Sequence, residues 1–233
     1  MAEDGTPGSD AADRVRGLVV AVLGGTGDQG HGLARRLAVA GLRVLIGSRD
    51  GGRAADRAEQ LRREVPGGEV DGGTNAEVAA AAGVVIVAVP WEGHAATLGP
   101  LRGPLAGKIV VDCVNPLGFD RQGAFALPVP EGSAAQQAAA LLPESRVVAA
   151  FHHVSAPLLA DPEVSTVDLD VLVLGEDREA TDTVQALAGL IPGMRGIYGG
   201  RLRNAAQVEA LTANLISVNR RYKAHAGIRV TDV

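Results

Sequence analysis

The chain has 233 residues, enough for one domain or one domain with a small appendage, and its 46% hydrophobic content fills a core that must be mostly Ala, Val and Leu because aromatics make up 3%. A formal charge of −5 argues against a nucleic-acid surface, and a single cysteine, Cys113, excludes an internal disulfide and a multi-cysteine metal site. With no secretory pattern at its start and no apolar run of about 20 residues, the chain is expected to be cytoplasmic, with no membrane and no nucleic-acid partner.

Residues Met1–Arg16 are polar, with no apolar period, and are expected to form a disordered leader over 1–16. Strands are then predicted at Leu18–Leu23, Arg43–Ile46, Val84–Val89, Ile109–Val114 and Val147–Phe151, most of them continuous apolar runs of the kind that parallel strands covered on both faces require. Helices are predicted between them. Gly30–Ala40 ends at Gly41, Arg53–Glu64 stops before Pro66, and Asn75–Ala82 has Asn75 as N-cap and Gly83 as stop. This order predicts an α/β fold, a doubly wound, Rossmann-type parallel sheet over 17–154. Beyond it, Leu117–Gly132 reads as a long loop, Ser133–Leu142 as a helix, Asp168–Leu174 as a strand and Glu176–Leu190 as a helix. Asn204–Lys223 is the longest helical pattern, with Val208, Leu211, Leu215 and Val218 on one stripe. Residues 155–233 are expected to form a small α/β C-terminal domain.

Two segments carry the chemistry. Gly25-Thr26-Gly27-Asp28-Gln29-Gly30 follows the first strand as a G-x-G-x-x-G turn, which cradles a pyrophosphate with backbone N–H groups and a helix N-terminus. About 20 residues on, where an NAD site places an acidic side chain on the ribose, stand Ser48 and Arg49, with Arg53 close behind. A hydroxyl and two guanidiniums suit a 2′-phosphate, so the pair indicates NADP(H). Arginine at a helix start is opposed by the helix dipole, which itself suggests that an anion is expected there.

The chain resembles the F420-dependent NADP reductases. The resemblance rests on Gly24-Gly25-Thr26-Gly27, Gly47-Ser48-Arg49, Val89-Pro90-Trp91-Glu92, Ala150-Phe151-His152-His153-Val154 and Val208-Glu209-Ala210-Leu211-Thr212, in family order from about Leu18 to Ile228. It implies a cleft for NADP(H) and coenzyme F420, closed by the C-terminal domain, in a homodimer mediated by the long final helix. It further implies that Thr26, Gly27, Asp28 and Gln29 form the pyrophosphate turn and that Thr26, Ser48, Arg49 and Arg53 hold the 2′-phosphate. Val89, Asn115 and Ala156 would line the adenosine or the nicotinamide. Pro90 and Trp91 would continue the fourth strand into the cleft. His152, Val154 and Thr212 would meet the deazaflavin. Ala206 and Ala210 stand where archaeal relatives have Arg and Ser.

Several of these residues also admit a plain structural reading. Either of His152 and His153 can be a satisfied core histidine, because neighbours at a strand end point to opposite sides. Trp91 can cap the sheet end, Cys113 can be a small buried hydrophobe, and Asp112 can be a hydrogen-bonded structural carboxylate or a general base. Glu92 and His94 lack a third ligand at metal spacing. Hydride transfer between two carbon atoms requires no protein acid or base, and the residues contain no triad or carboxylate dyad, so no catalytic residue is assigned. The rival readings are an NADPH-dependent reductase of a small imine or carbonyl, and a non-catalytic NADP sensor.

Overall fold

The computed structural model describes residues 13–233. The first twelve residues of the expected leader lie outside the described residues. The last of it departs from the expectation: residues 13–15 are helical, and the Val15 side chain is buried in the core.

The described chain runs through β1 (Val19–Leu23), α1 (Asp28–Val39), β2 (Arg43–Ser48), α2 (Gly51–Glu64), β3 (Val70–Thr74), α3 (Asn75–Ala81), β4 (Val84–Val87), α4 (His94–Leu98) and β5 (Ile109–Asp112). A hairpin follows, β6 (Leu117–Asp120) and β7 (Gly123–Ala126), then α5 (Ala134–Leu141) and β8 (Arg146–Ala149). The last third holds α6 (Ala156–Ala160), β9 (Leu169–Gly175), α7 (Arg178–Gly189), β10 (Met194–Gly200) and α8 (Ala205–Tyr222).

Eight strands form one sheet in the order β10-β9-β8-β5-β4-β1-β2-β3, parallel except where β8 meets β9. The strands β1, β4 and β5 alternate sides. Val20 and Val22 pack with Leu33 and Leu37 of α1 and Leu61 of α2, whereas Ala21 and Leu23 pack with Val78 of α3 and Leu98 of α4. Because both faces are covered, these strands are apolar throughout, and that is why the sequence exposes them.

Two expectations are corrected, the loop at 117–132 and the N-cap at Asn75. Residues 117–132, read as a loop, contain the β6–β7 hairpin, whose turn is closed by Asp120 Oδ1 accepting from the Gln122 and Gly123 amides. Residues 155–233 contribute β9 and β10 to the same sheet, so the boundary expected at 154 falls between neighbouring strands of that sheet. The N-cap of α3 is Thr74, which forms a capping box with Glu77, in place of the expected Asn75.

The register aligns the strand ends. Leu23 pairs with Gly47 and Val87, Val87 with Asp112, and Asp112 with Ala149. The chain winds from β1 to β2 and β3 on one side and returns to β4 on the other, so a crevice opens beyond the ends of β1 and β4. There Gly24 turns with φ 76°, and a Cβ on it would lie 2.4 Å from the Ala88 carbonyl oxygen. Gly41 has a similar φ of 86° but open space around it. The pair therefore separates backbone strain from steric contact. Gly41→Ala should cost about 1–2 kcal/mol, and Gly24→Ala about 1–3 kcal/mol more. Urea denaturation of both variants checks the difference; equal losses would remove the contact from the account.

Candidate active site

The crevice is a cleft of about 1180 Å³ at the aligned strand ends. Of the residues singled out from the sequence, Thr26, Gly27, Asp28, Gln29, Ser48, Arg49, Arg53, Val89 and Pro90 line it. Gly25 and Gly30 sit beneath the turn. A Cβ at Gly30 would lie 2.6 Å from the Gly24 oxygen, so the residue's bareness lets α1 start directly against the turn. Gly27 is the N-cap of α1 and places no side chain over the helix start, leaving the first-turn amides directed at the cleft.

On the neighbouring strand, Ser48 Oγ accepts from the Asp50 amide at 3.3 Å, which leaves its hydrogen free to donate outward. Asp50 caps α2 through the Gly52 and Arg53 amides. Arg49 and Arg53 flank that cap, are exposed to the cleft, and form no ion pair among the described residues.

Thr74 and Asn75 also line the cleft, as do Ala96, Thr97 and Leu101 from the segment after β4. The sequence reading did not assign them. For Thr74 and Asn75 the signal was hidden with β3, whose glycines read as loop. Gly72 is bare because α2 lies on it, a Cβ there falling 2.3 Å from the Ala54 oxygen.

Asn115, His152, Val154, Ala156, Thr212 and Trp91 stand apart from this cleft wall. Asn115 and His152 follow β5 and β8 on the same edge of the sheet. The His152 carbonyl accepts from Asn115 Nδ2 at 2.8 Å and from Thr212 Oγ1 at 3.0 Å, and the preceding Phe151 carbonyl accepts from Gln29 Nε2 at 3.1 Å. Phe151 itself is held at φ 63°, a costly conformation for a residue with a side chain. The His152 ring is 2% exposed, and neither nitrogen has a partner among the described residues. Burial pushes its pKa down to about 4, so the ring is neutral at neutral pH. Val154 is packed in the core, Ala156 opens α6, and Trp91 is half-buried against the α4 side of the sheet with its ring 5.6 Å from that of His94. His153 Nε2 donates to the Asp170 carbonyl, 2.7 Å away, which fits the reading of a structural core histidine, although its Nδ1 has no partner among the described residues.

Beneath this edge lies a buried polar network. His94 Nε2 is 2.6 Å from Asp112 Oδ2, and Nδ1 is 2.9 Å from Gln137 Oε1. Gln137 Nε2 donates to Glu131, so its oxygen is left to accept and both ring nitrogens of His94 donate. Burial opposes that charge, but the bonds to Asp112 and Gln137 outweigh it and raise the His94 pKa. Asp112 Oδ1 accepts from the Val114 amide, so this carboxylate is structural. Cys113 is buried and its thiol donates to the Val87 carbonyl; burial raises its pKa, which leaves it an inert hydrophobe. Glu209 of α8 accepts from the Ala134 and Ala135 amides at the start of α5, at 2.9 and 3.2 Å. Burial nevertheless pushes its carboxyl up to about 7, with Asp112 adding to the shift.

The Glu209 shift has a stability consequence. Between about 4.5 and about 7 the folded chain keeps a proton that the unfolded chain has released, so this contribution is complete below the unfolded value and lost as pH rises through 7. Glu209→Gln removes it. The Tm advantage of the parent over this variant should therefore shrink between about pH 5 and about pH 8, and a difference independent of pH would contradict the shift.

Residues 19–116 match the family described as NADP oxidoreductase, coenzyme F420-dependent. The chain is 41% identical over 223 residues to the F420-dependent NADP reductase of Methanothermobacter marburgensis, covering 93% of this chain and 99% of that protein. It is 39% identical over 224 residues to the protein of the same name from Methanocaldococcus jannaschii, with the same coverage. A solved structure from Arthrobacter sp. FB24, described as an F420-dependent NADP reductase, superimposes with a TM-score of 0.77 at 31% identity, covering 92% of this chain and all of that one. With the glycine turn, the Ser48–Arg49 pair and the sheet order already in place, these likenesses assign the chain to the F420-dependent NADP reductase family.

Proposed function

We propose that the protein transfers a hydride reversibly between NADP(H) and coenzyme F420 (NADPH + F420 to NADP+ + reduced F420), acting in the cytoplasm as a homodimer. The observation that carries the reading is the cleft at the switch point of the sheet, where a glycine turn stands beside the Ser48 hydroxyl and two arginines that form no ion pair among the described residues. Gly25, Thr26, Gly27, Asp28, Gln29 and Gly30 form the pyrophosphate turn, binding through backbone amides. Ser48, Arg49 and Arg53, with Thr26, hold the 2′-phosphate. Val89, Pro90 and Asn115 line the nucleotide, and Ala156 meets the nicotinamide through its backbone.

The F420 side draws on the strand ends β5 and β8 and on α8. A buried imidazole whose two nitrogens lack partners is costly unless something satisfies it, and the neutral His152 ring can both donate and accept. That orphaned ring fits a polar heterocycle such as the deazaflavin better than it fits a dry core. Thr212, already bonded to the His152 carbonyl, lies beside it. Trp91 and Val154 support the edge from within. Residues 155–233 close this side of the cleft.

The two substrates supply the redox chemistry, a hydride passing between C4 of the nicotinamide and C5 of the deazaflavin with solvent providing the accompanying proton. The protein's residues align the two rings and exclude water. This accounts for a site beside which the buried Asp112, His94 and Glu209 are all engaged in structural hydrogen bonds.

The dimer is supported by apolar groups left in solvent on adjoining elements. Phe119 and Phe125 of the hairpin are exposed, as are Val218 and Tyr222 of α8, against which β7 packs. The stripe expected along α8 is buried at Val208 and opens toward Val218, leaving that end for a second copy. The cytoplasm is supported by the single cysteine, which forms no disulfide.

Arg49→Ala tests the reading. Followed by loss of the visible absorbance of oxidised F420, the variant should raise KM for NADPH by roughly 10- to 100-fold, the worth of one hydrogen bond to a charged group. KM for F420 should change far less, and the gap between NADPH and NADH should narrow. Equal losses toward both substrates would sink the 2′-phosphate role.

A further inference from the structure

Helix α1 grips more than the nucleotide turn. Its residue Arg36 is buried and points away from solvent, with Nε donating to the Leu159 carbonyl at 2.9 Å. Its Nη2 donates to the Leu158 carbonyl at 2.6 Å and to the Asp161 carbonyl at 3.3 Å. These three oxygens belong to the C-terminal end of α6, where carbonyls lack helical partners and the helix dipole favours a cation. Seven residues earlier, two turns along the same face and about 10 Å away, Gln29 holds the Phe151 carbonyl. Between them Gly32 touches α6 directly: a Cβ there would lie 2.5 Å from Leu159 Cβ. The segment from Phe151 to Asp161 is therefore tied at both ends to the helix whose first turn faces the pyrophosphate.

We infer that Arg36 is a positioning residue for hydride transfer: by holding the end of the short helix that opens at Ala156, it fixes the backbone against which the nicotinamide lies, relative to the anchored pyrophosphate. The inference rests on the nicotinamide contact proposed above for Ala156. Arg36 touches no substrate. It acts through α6, and its planar fork directs Nε and Nη2 in fixed directions onto the three carbonyls of the helix end. A glycine at 32 is required for the same reason, since any side chain would wedge α6 away from α1. Burying a guanidinium that forms no ion pair among the described residues is costly, and the three carbonyls, with the nearby Asp161 charge, offset the cost.

Three variants test this: Arg36→Met, Arg36→Lys and Gly32→Ala. Adenosine 2′,5′-bisphosphate, which has the 2′-phosphate but no nicotinamide, should bind Arg36→Met within about twofold of the parent. NADP+ should bind it several-fold more weakly. Single-turnover oxidation of NADPH by F420 should slow by roughly a hundredfold, the scale of a reacting group misplaced by about 1 Å. Arg36→Lys should recover part of the rate. Gly32→Ala, which adds helix propensity to α1, should show the same split between the two nucleotides, so a methionine variant that fails to fold leaves the lysine and alanine variants to decide. Parental rates in these variants, or equal loss of affinity for adenosine bisphosphate and NADP+, would overturn the inference. The affinity ratio is read without F420. A parent protein that does not reduce F420 would therefore refute the proposed reaction, while the ratio still decides the role of Arg36.

Discussion

Everything at the nucleotide edge depends on how closely the backbone of β1 passes that of β4 as it turns into α1. The carbonyl of Ala88 occupies the space a Cβ on Gly24 would need, and the carbonyl of Gly24 in turn occupies the space of a Cβ on Gly30. Because both side chains are missing, the first turn of α1 begins at the level where Leu23, Gly47 and Val87 end in register. Its amides then face the same opening as Ser48, Arg49 and Arg53. Were the turn looser, these amides and the arginines would address different volumes, and the 2′-phosphorylated dinucleotide proposed above could not meet both. The same helix carries this constraint to the opposite side of the site, through Gln29, Gly32 and Arg36, so the nucleotide turn and the segment at Phe151–Asp161 share one rigid support.

A second layer keeps the opposite half in place. The acids and bases under the sheet edge act on structure. Asp112 ties His94 to the Val114 amide, and Glu209 fastens α8 to the start of α5. Both are inaccessible to solvent, and both are hydrogen-bonded to groups that would otherwise be orphaned in the interior. α8 is in this way fixed at the level of Thr212, which with Asn115 holds the His152 carbonyl. Among the described residues, His152 is the buried ring with both nitrogens unbonded, whereas His31 and His153 each lack a partner at Nδ1 alone. The contrast supports the contact proposed for the His152 imidazole: Asp112, Glu209 and His94 are bonded within the fold, and the imidazole nitrogens are available to a ligand.

Much of the fold was legible in the sequence, for a reason that also sets the limit. Strands β1, β4 and β5 are covered on both faces and so read as unbroken apolar runs. Strands β3 and β10 are covered just as closely by helices, yet closeness there demands glycine. Gly72 lies against Ala54 and Gly196 against Gln185, where a Cβ would fall 2.3 and 2.4 Å from backbone atoms. Local composition then reads as loop, and with β3 went the cleft positions Thr74 and Asn75. The half of the cleft proposed to face the phosphates could be grouped from the sequence because it is contiguous: a turn, a strand and a second turn. The His94–Asp112–Gln137 cluster, Glu209 at the start of α5, and Arg36 on α6 join residues far apart in the chain, so no spacing could reveal them. His152 was legible as a candidate, but its state was not: a ring buried and without partners is a property of the packing.

The most direct test of the account is to supply NADPH carrying deuterium at the transferable position on C4 of the nicotinamide, with oxidised F420 as the only acceptor, and to locate the label in the product. The account predicts that F420 is bleached by NADPH and far less by NADH, with the deuterium on C5 of the reduced deazaflavin. Reduced F420 that takes its C5 hydrogen from solvent, or NADPH that binds without bleaching F420, would contradict direct transfer between two rings aligned by this cleft.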